Sequence, residues 1–232
     1  MHDDSPLPLA VKPGVPPPGR RARRSQRAAF FGAALLVAVS AEVSAYTATL
    51  APAAPLTVYL QVGVGSFSAS YKKGGKPANN ATINSVSTTL AASAVGNGTA
   101  QAMTTDSSAA KSFWDGFSFC TIPAQLYIGG FYRTTGGATV AAQVTATVPA
   151  ALTNATGATI PFANITWTSS GIGDAGAEPF PAGSFVSGGV QTVGSMASNT
   201  WNESCWTFSY RNTIVPAAGT FTGRVLYTLS AP

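Results

Sequence analysis

Beyond residue 55, apolar and polar side chains alternate with a period of two, in short runs separated by glycine, proline, asparagine and serine. In "LTVYLQVGV" (56–64), Leu56, Val58, Leu60, Val62 and Val64 share one face of an extended strand. The runs "QLYIGGFY" (125–132), "ATVAAQVTATV" (138–148), "ITWTS" (165–169), "SCWTFSY" (204–210) and "TFTGRVLYTLS" (220–230) repeat the pattern. Between them, "YKKGGKPANN", "RTTGGA", "GIGDAGAEPFPAG" and "VPAAG" read as turns. No long stretch of strong helix formers with 3.6-residue periodicity interrupts them. The pattern predicts an all-β fold: one antiparallel β-sandwich of immunoglobulin-like or pilin-like type over residues 56–232, preceded by a short extension at 46–55.

The last run is the most regular. From Phe221 through Gly223, Val225 and Tyr227 to Leu229 the odd positions are apolar or glycine and the even ones mostly polar. One face is therefore expected in the core, with the strand paired along its length, because a slip of one residue would expose the whole face.

Composition changes the picture mainly at the front of the chain. The formal net charge is +5, but six of the thirteen bases and three of the eight acids precede residue 46. Seven bases and five acids remain, a net of +2 that offers no footprint for nucleic acid. The front itself reads as an export signal. "RRARRSQR" is followed by the apolar "AAFFGAALLVAVSA" and then "VSA", with cleavage expected after Ala45 and Ala41 as second choice. A membrane span needs roughly 20 apolar residues, and Glu42 interrupts this run too early. The Pro-rich first 19 residues are long for a leader and fit a start codon placed upstream of the true one, at Val11 or Val15. The expected location is the periplasm, the cell surface or the exterior.

An oxidising compartment bears on the two cysteines. Cys120 ends "FSFC" and Cys205 lies in "WNESCWTFSY" (201–210), both in aromatic strand contexts. A Cys120–Cys205 disulfide is the economical reading. Closing a loop of this length stabilises a fold by roughly 4–5 kcal/mol on the chain-entropy argument. A reactive thiol is the competing reading, but there is no C-x-x-C and no nearby base in the sequence.

The only histidine, His2, precedes the signal, so the mature chain lacks one. Ser-His-Asp and Cys-His catalysis and the usual zinc sites fall away together. Five acids remain in the mature chain: Asp106, Asp115, Asp174, Glu178 and Glu203. Any two are able to meet in space, which leaves a two-carboxylate glycosidase open, although solvated loop or strand-end positions are the simpler expectation. Asp174 and Glu178, four apart in "GIGDAGAEPF", form a minor calcium option without the alternating acids of an EF-hand loop. "KKGGKPANN" is no phosphate loop, since Pro77 follows Lys76 where Ser or Thr is required. No cofactor is expected.

Trp114, Trp201 and Trp206 are candidates for ligand stacking, against core packing as the alternative, while Trp167 alternates with Ile165 and reads as buried. Trp206 follows Cys205, so with the sulfur inside it is expected partly outside. Sequons at Asn80, Asn97, Asn154, Asn164 and Asn202 suggest exposed loops.

Taken together, "TVYLQVGVGSF", "AMTTDSSAAKSFWDGFSFC", "PAQLYIGGFYR", "IPFANITWTSSG" and "GTFTGRVLYTLSAP" resemble a family of secreted β-sandwich proteins of Gram-negative bacteria in which no catalytic residues are assigned. More distantly, the ending is similar to those of chaperone-usher pilins and spore-coat-U-type subunits. That resemblance implies a C-terminal strand read by a periplasmic chaperone or by another copy, with "YTATLAPAAPLTVYLQV" (46–62) completing a neighbour's sheet. The cysteine positions and the terminal "SAP" depart from it. The first and last strands of a self-complete sandwich explain the same alternation. The functional expectation is an exported structural or adhesive surface component without catalysis, of pilus-like kind on the distant resemblance. The alternatives are a carbohydrate-binding module using exposed Trp and Tyr, and a glycoside hydrolase.

Overall fold

The computed structural model describes residues 48–68, 76–78, 80–174 and 176–232. The leader with Ala41 and Ala45, the start of the 46–55 extension and the tip of the "YKKGGKPANN" turn lie outside the described residues.

In chain order the strands are β1 (Ala48–Thr49), β2 (Thr57–Val62), β3 (Ser66–Ser68), β4 (Lys76–Ala78), β5 (Val86–Ser87), β6 (Gln101–Ala102), β7 (Thr104–Thr105) and β8 (Leu126–Arg133). They continue with β9 (Ala142–Val148), β10 (Ala151–Thr153), β11 (Thr159–Pro161), β12 (Ile165–Ser170), β13 (Gly183–Ser184), β14 (Gly189–Met196), β15 (Thr200–Tyr210) and β16 (Leu226–Ser230). The large sheet runs β13-β12-β15-β8-β2, with β1 and β6 also on β15, and the small sheet runs β14-β9-β16. Every ladder between these strands is antiparallel. The inner faces of the two sheets close on one another, as the alternation predicts. Ile128, Trp167, Trp206 and Phe208 from the large sheet share one apolar cluster with Val144, Ala146, Val193 and Met196 from the small one. The protein is an antiparallel β-sandwich.

β15 organises the large sheet. Its first half pairs with β8, placing Trp201 opposite Phe131 and Glu203 opposite Gly129. Its second half pairs with β12, placing Phe208 opposite Trp167. Even-numbered Trp206, Phe208 and Tyr210 enter the two-sheet core. Odd-numbered Trp201, Glu203 and Cys205 point the other way, as the two-residue period requires.

Three sequence expectations are corrected. The stretch 46–55 is not set apart from the sandwich: from Ala48 on it belongs to it, with β1 on β15 and Leu50 fully buried. The terminal run does not pair along its full length, since its ladder on β9 begins only at Leu226. Phe221, Val225, Tyr227 and Leu229 do pack against the two-sheet core. In β2 the predicted face, with Leu60 and Val62, does meet the core, yet Leu56 is 48% exposed at its edge. The opposite residues Tyr59 and Gln61 are the buried ones. The outer face of this sheet is therefore covered as well.

Candidate functional site

The cover over the outer face is a cap formed by residues 107–120. It is approached by an extended stretch in which Met103, Thr105, Ser107 and Ala109 turn inward in alternation. The chain then folds over a tight loop, with the Ser112 N–H donating to Phe117 O at 2.9 Å and the Gly116 N–H to Ser112 O at 3.0 Å. It returns to Cys120, bonded to Cys205 of β15 with the Cα atoms 5.5 Å apart. The predicted disulfide is present, and it joins cap to sheet.

Beneath the cap lies Glu203, 1% exposed. Its Oε2 accepts the Tyr127 hydroxyl at 2.7 Å and the Trp201 indole N–H at 2.9 Å. The Ser112 side chain of the cap is a further hydrogen-bond partner. Three consequences of the sequence build this cluster. Trp201 and Glu203 are two apart on one strand and so share a face. Tyr127 lies on the neighbouring strand, on the same side. Gly129, directly across from Glu203, has no side chain, and a Cβ there would collide with the Tyr127 phenol. Burial pushes the Glu203 carboxyl above the usual range, with the charge of Asp115 adding to it and the three hydrogen bonds opposing.

Aromatic rings seal the cluster. Trp201 packs against Phe131 at 5.8 Å, Tyr59 at 6.2 Å and Trp114 of the cap at 6.4 Å between centroids. Phe113 and Phe119 of the cap pack on Tyr127 at 5.2 and 6.2 Å. Two of the three proposed stacking residues are thus corrected: Trp201 and Trp206 are both 0% exposed. Trp206 opposes Cys205 on the strand as expected, but the face it points to is the two-sheet core, where it packs on Trp167 at 5.0 Å and donates to Phe180 O at 3.0 Å. Trp114 is half-buried, and the aromatic that the cap does present to solvent is Phe117, 76% exposed.

Of the acids, Glu203 is corrected from a solvated strand residue to a buried one. Asp106 and Asp115 are exposed as expected. Hydrogen bonds from Ser85 and Asn84 hold the Asp106 carboxyl below its ordinary range. Glu178 lines a depression of about 550 Å³ with Gln143, Pro179, Thr192 and Asn202. Burial raises its carboxyl, with the Ser204 hydroxyl opposing and the Asp174 charge adding to the rise. The structure thus brings the two residues of the calcium option into electrostatic range of one another. Among the described residues no group of three or more His, Cys, Asp or Glu comes together.

The sequons do not all mark exposed loops. Asn80 and Asn97 are exposed, Asn154 and Asn202 are buried, and the Asn164 amide nitrogen is shut away from solvent. The buried asparagines do structural duty instead. Asn154 Oδ1 accepts the backbone N–H groups of Thr156 and Ala158, pinning a turn.

Among the described residues no helix is long and apolar enough to cross a membrane. No family profile, curated protein or solved structure matches the chain.

Proposed function

We propose that the protein is an exported structural or adhesive component of the cell surface, acting as a rigid scaffold without catalysis of its own. The supporting observation is the use to which its chemically distinctive side chains are put. Trp201, Trp206, Tyr127 and Glu203 are closed into the interior, each bonded to another part of the protein. A hydrolytic carboxylate pair has to leave room for a sugar or a water between its members. Glu203 instead accepts donors from the chain itself on a face covered by the cap.

Assembly through the terminal strand, implied by the pilin resemblance, belongs to the same proposal. Among the described residues β16 has a hydrogen-bonded strand partner only in β9, and on this proposal a chaperone or a second copy adds at its other edge. Because β1 and β2 lie in the chain's own large sheet, such assembly would add to a subunit already complete at its N-terminal side. A second reading, glycan binding, is favoured only by the presence on the cap of half-buried Trp114 and exposed Phe117.

The test is to recover the native protein from the cell surface without denaturant and measure its size distribution, its effect on attachment and its turnover of a panel of glycans and esters. Polymer or surface-bound complex with no turnover is the expected result. Turnover lost in Glu203→Gln would overturn the proposal. Binding on a glycan array that disappears in Trp114→Ala would move the assignment to the second reading.

A further inference from the structure

The disulfide joins two residues on the same side of the large sheet, and neither sulfur belongs to the two-sheet core. Cys120 and Cys205 cluster with Ala109, Phe119 and Tyr127, apart from the residues that join the sheets. The backbone of the cap is bonded chiefly to itself, through Ser112 with Phe117, Gly116 with Ser112 and Cys120 with Ala110. Outside the cap, the described backbone bond from this segment runs from the Ile172 N–H to Phe119 O at 3.1 Å, toward a loop and not toward a strand ladder. Among the described residues the contacts that tie the cap to the sheet include ring packing, the Ser112–Glu203 contact and one covalent link.

We propose that Cys120–Cys205 is the latch of a separable lid: cutting it frees residues 107–120 from Glu203 and Trp201 and leaves the two-sheet sandwich folded. The step is an ordinary exchange with a dithiol. One thiolate of the reductant attacks a cystine sulfur, its second thiol resolves the mixed disulfide, and two electrons and two protons end on Cys120 and Cys205 while the reductant becomes a cyclic disulfide. Both sulfurs are buried in the closed state, at 2% and 0% residue exposure, so exchange proceeds through openings of the lid. Opening bares the Trp201 and Tyr127 rings and returns the Glu203 carboxyl to water, a surface of aromatic faces around an acid that the closed protein does not present. Redox state then selects between two surfaces of one folded domain.

Amide hydrogen exchange on the full mature chain tests this, comparing the oxidised protein with the double variant Cys120→Ala, Cys205→Ala. The expected result is at least tenfold faster exchange across residues 107–120 and unchanged protection across 142–148 and 189–196. Unchanged protection of the lid would show that packing alone holds it, and loss of a cooperative fold would show that the bond staples the whole domain; each outcome overturns the proposal. Kinetics supply an independent readout. Reduction of the oxidised protein by dithiothreitol should be accelerated about tenfold by Trp114→Ala, which weakens the lid's packing on Trp201. An unaltered reduction rate would sink the latch.

Discussion

The two faces of the large sheet are covered by different means. On the inner face Trp167, Trp206, Phe208 and their neighbours meet a second hydrogen-bonded sheet, and apolar area removed from water is the main source of cohesion. On the outer face the cover is a loop, the rings enclose a carboxyl that Tyr127 and Trp201 of the sheet hydrogen-bond, and the loop is tied down by ring packing, the Ser112–Glu203 contact and one disulfide. An apolar interface loses stability with the packing removed, whereas around a buried acid each donor removed leaves charge or an unpaired oxygen in a dry site. The inner face is thus expected to set global stability and the outer face to respond to chemistry.

The sharpest way to break this comparison is to remove residues 220–232. This takes away β16 and the packing of Phe221, Val225, Tyr227 and Leu229 on the core, and the cooperative unfolding transition should vanish. A truncated protein that melted like its parent would show that the inner face does not carry the fold. Next in size, Trp206→Ala should cost about 3–5 kcal/mol in denaturant unfolding, as large-to-small changes in a packed core do. Smaller, and confined to the outer face, is Gly129→Ala. The added methyl displaces the Tyr127 phenol from Glu203, for a loss of about 1–3 kcal/mol; a neutral result in the same measurement would mean that this hydrogen bond is dispensable.

The smallest effect is a slope with pH. The folded-state carboxyl of Glu203 is raised, so the native protein holds this proton more tightly than the unfolded chain. Its contribution is complete below the ordinary glutamate range, declines as pH rises from there to the raised value, and is level above it. Glu178 acts in the same direction, while Asp106, held low, acts in the opposite one at more acidic pH. Stability measured from pH 4 to pH 8 should therefore fall less steeply in Glu203→Gln than in the parent. Parallel curves would locate the slope elsewhere.

The inner faces were legible because alternation reports a strand with one covered side. β9 shows it most cleanly, with Ala142, Val144, Ala146 and Val148 inward and Gln143 and Thr147 outward. β14 escaped notice because Gly188, Gly189 and Gly194 break the apolar rhythm and a bulge between Thr192 and Gly194 shifts its register. The same rule misplaced Trp206, since it assumes that the side opposite a buried residue is wet, whereas Glu203 was misplaced by treating an isolated acid as a solvated loop or strand-end residue. The missing signal was present in "TWNESCWTFSY" and "LYIGGFYR". Both carry aromatic or cysteine side chains at odd and even positions alike, the mark of a strand covered on both faces. The identity of the second cover was not readable, because the cap has no periodicity of its own and is placed by the disulfide and by ring contacts distant in sequence.

The chain's four tryptophans fall into two pairs, one on each face. Trp167 and Trp206 lie 5.0 Å apart in the two-sheet core, and Trp114 and Trp201 lie 6.4 Å apart between lid and sheet. Indoles this close couple their strong far-ultraviolet transitions, so each pair contributes an exciton signal to the circular dichroism in that range. The outer pair spans the lid boundary and loses its coupling when the lid lifts, whereas the inner pair keeps its own until the sandwich comes apart. The protein thus carries two optical rulers, readable in one spectrum without any added label.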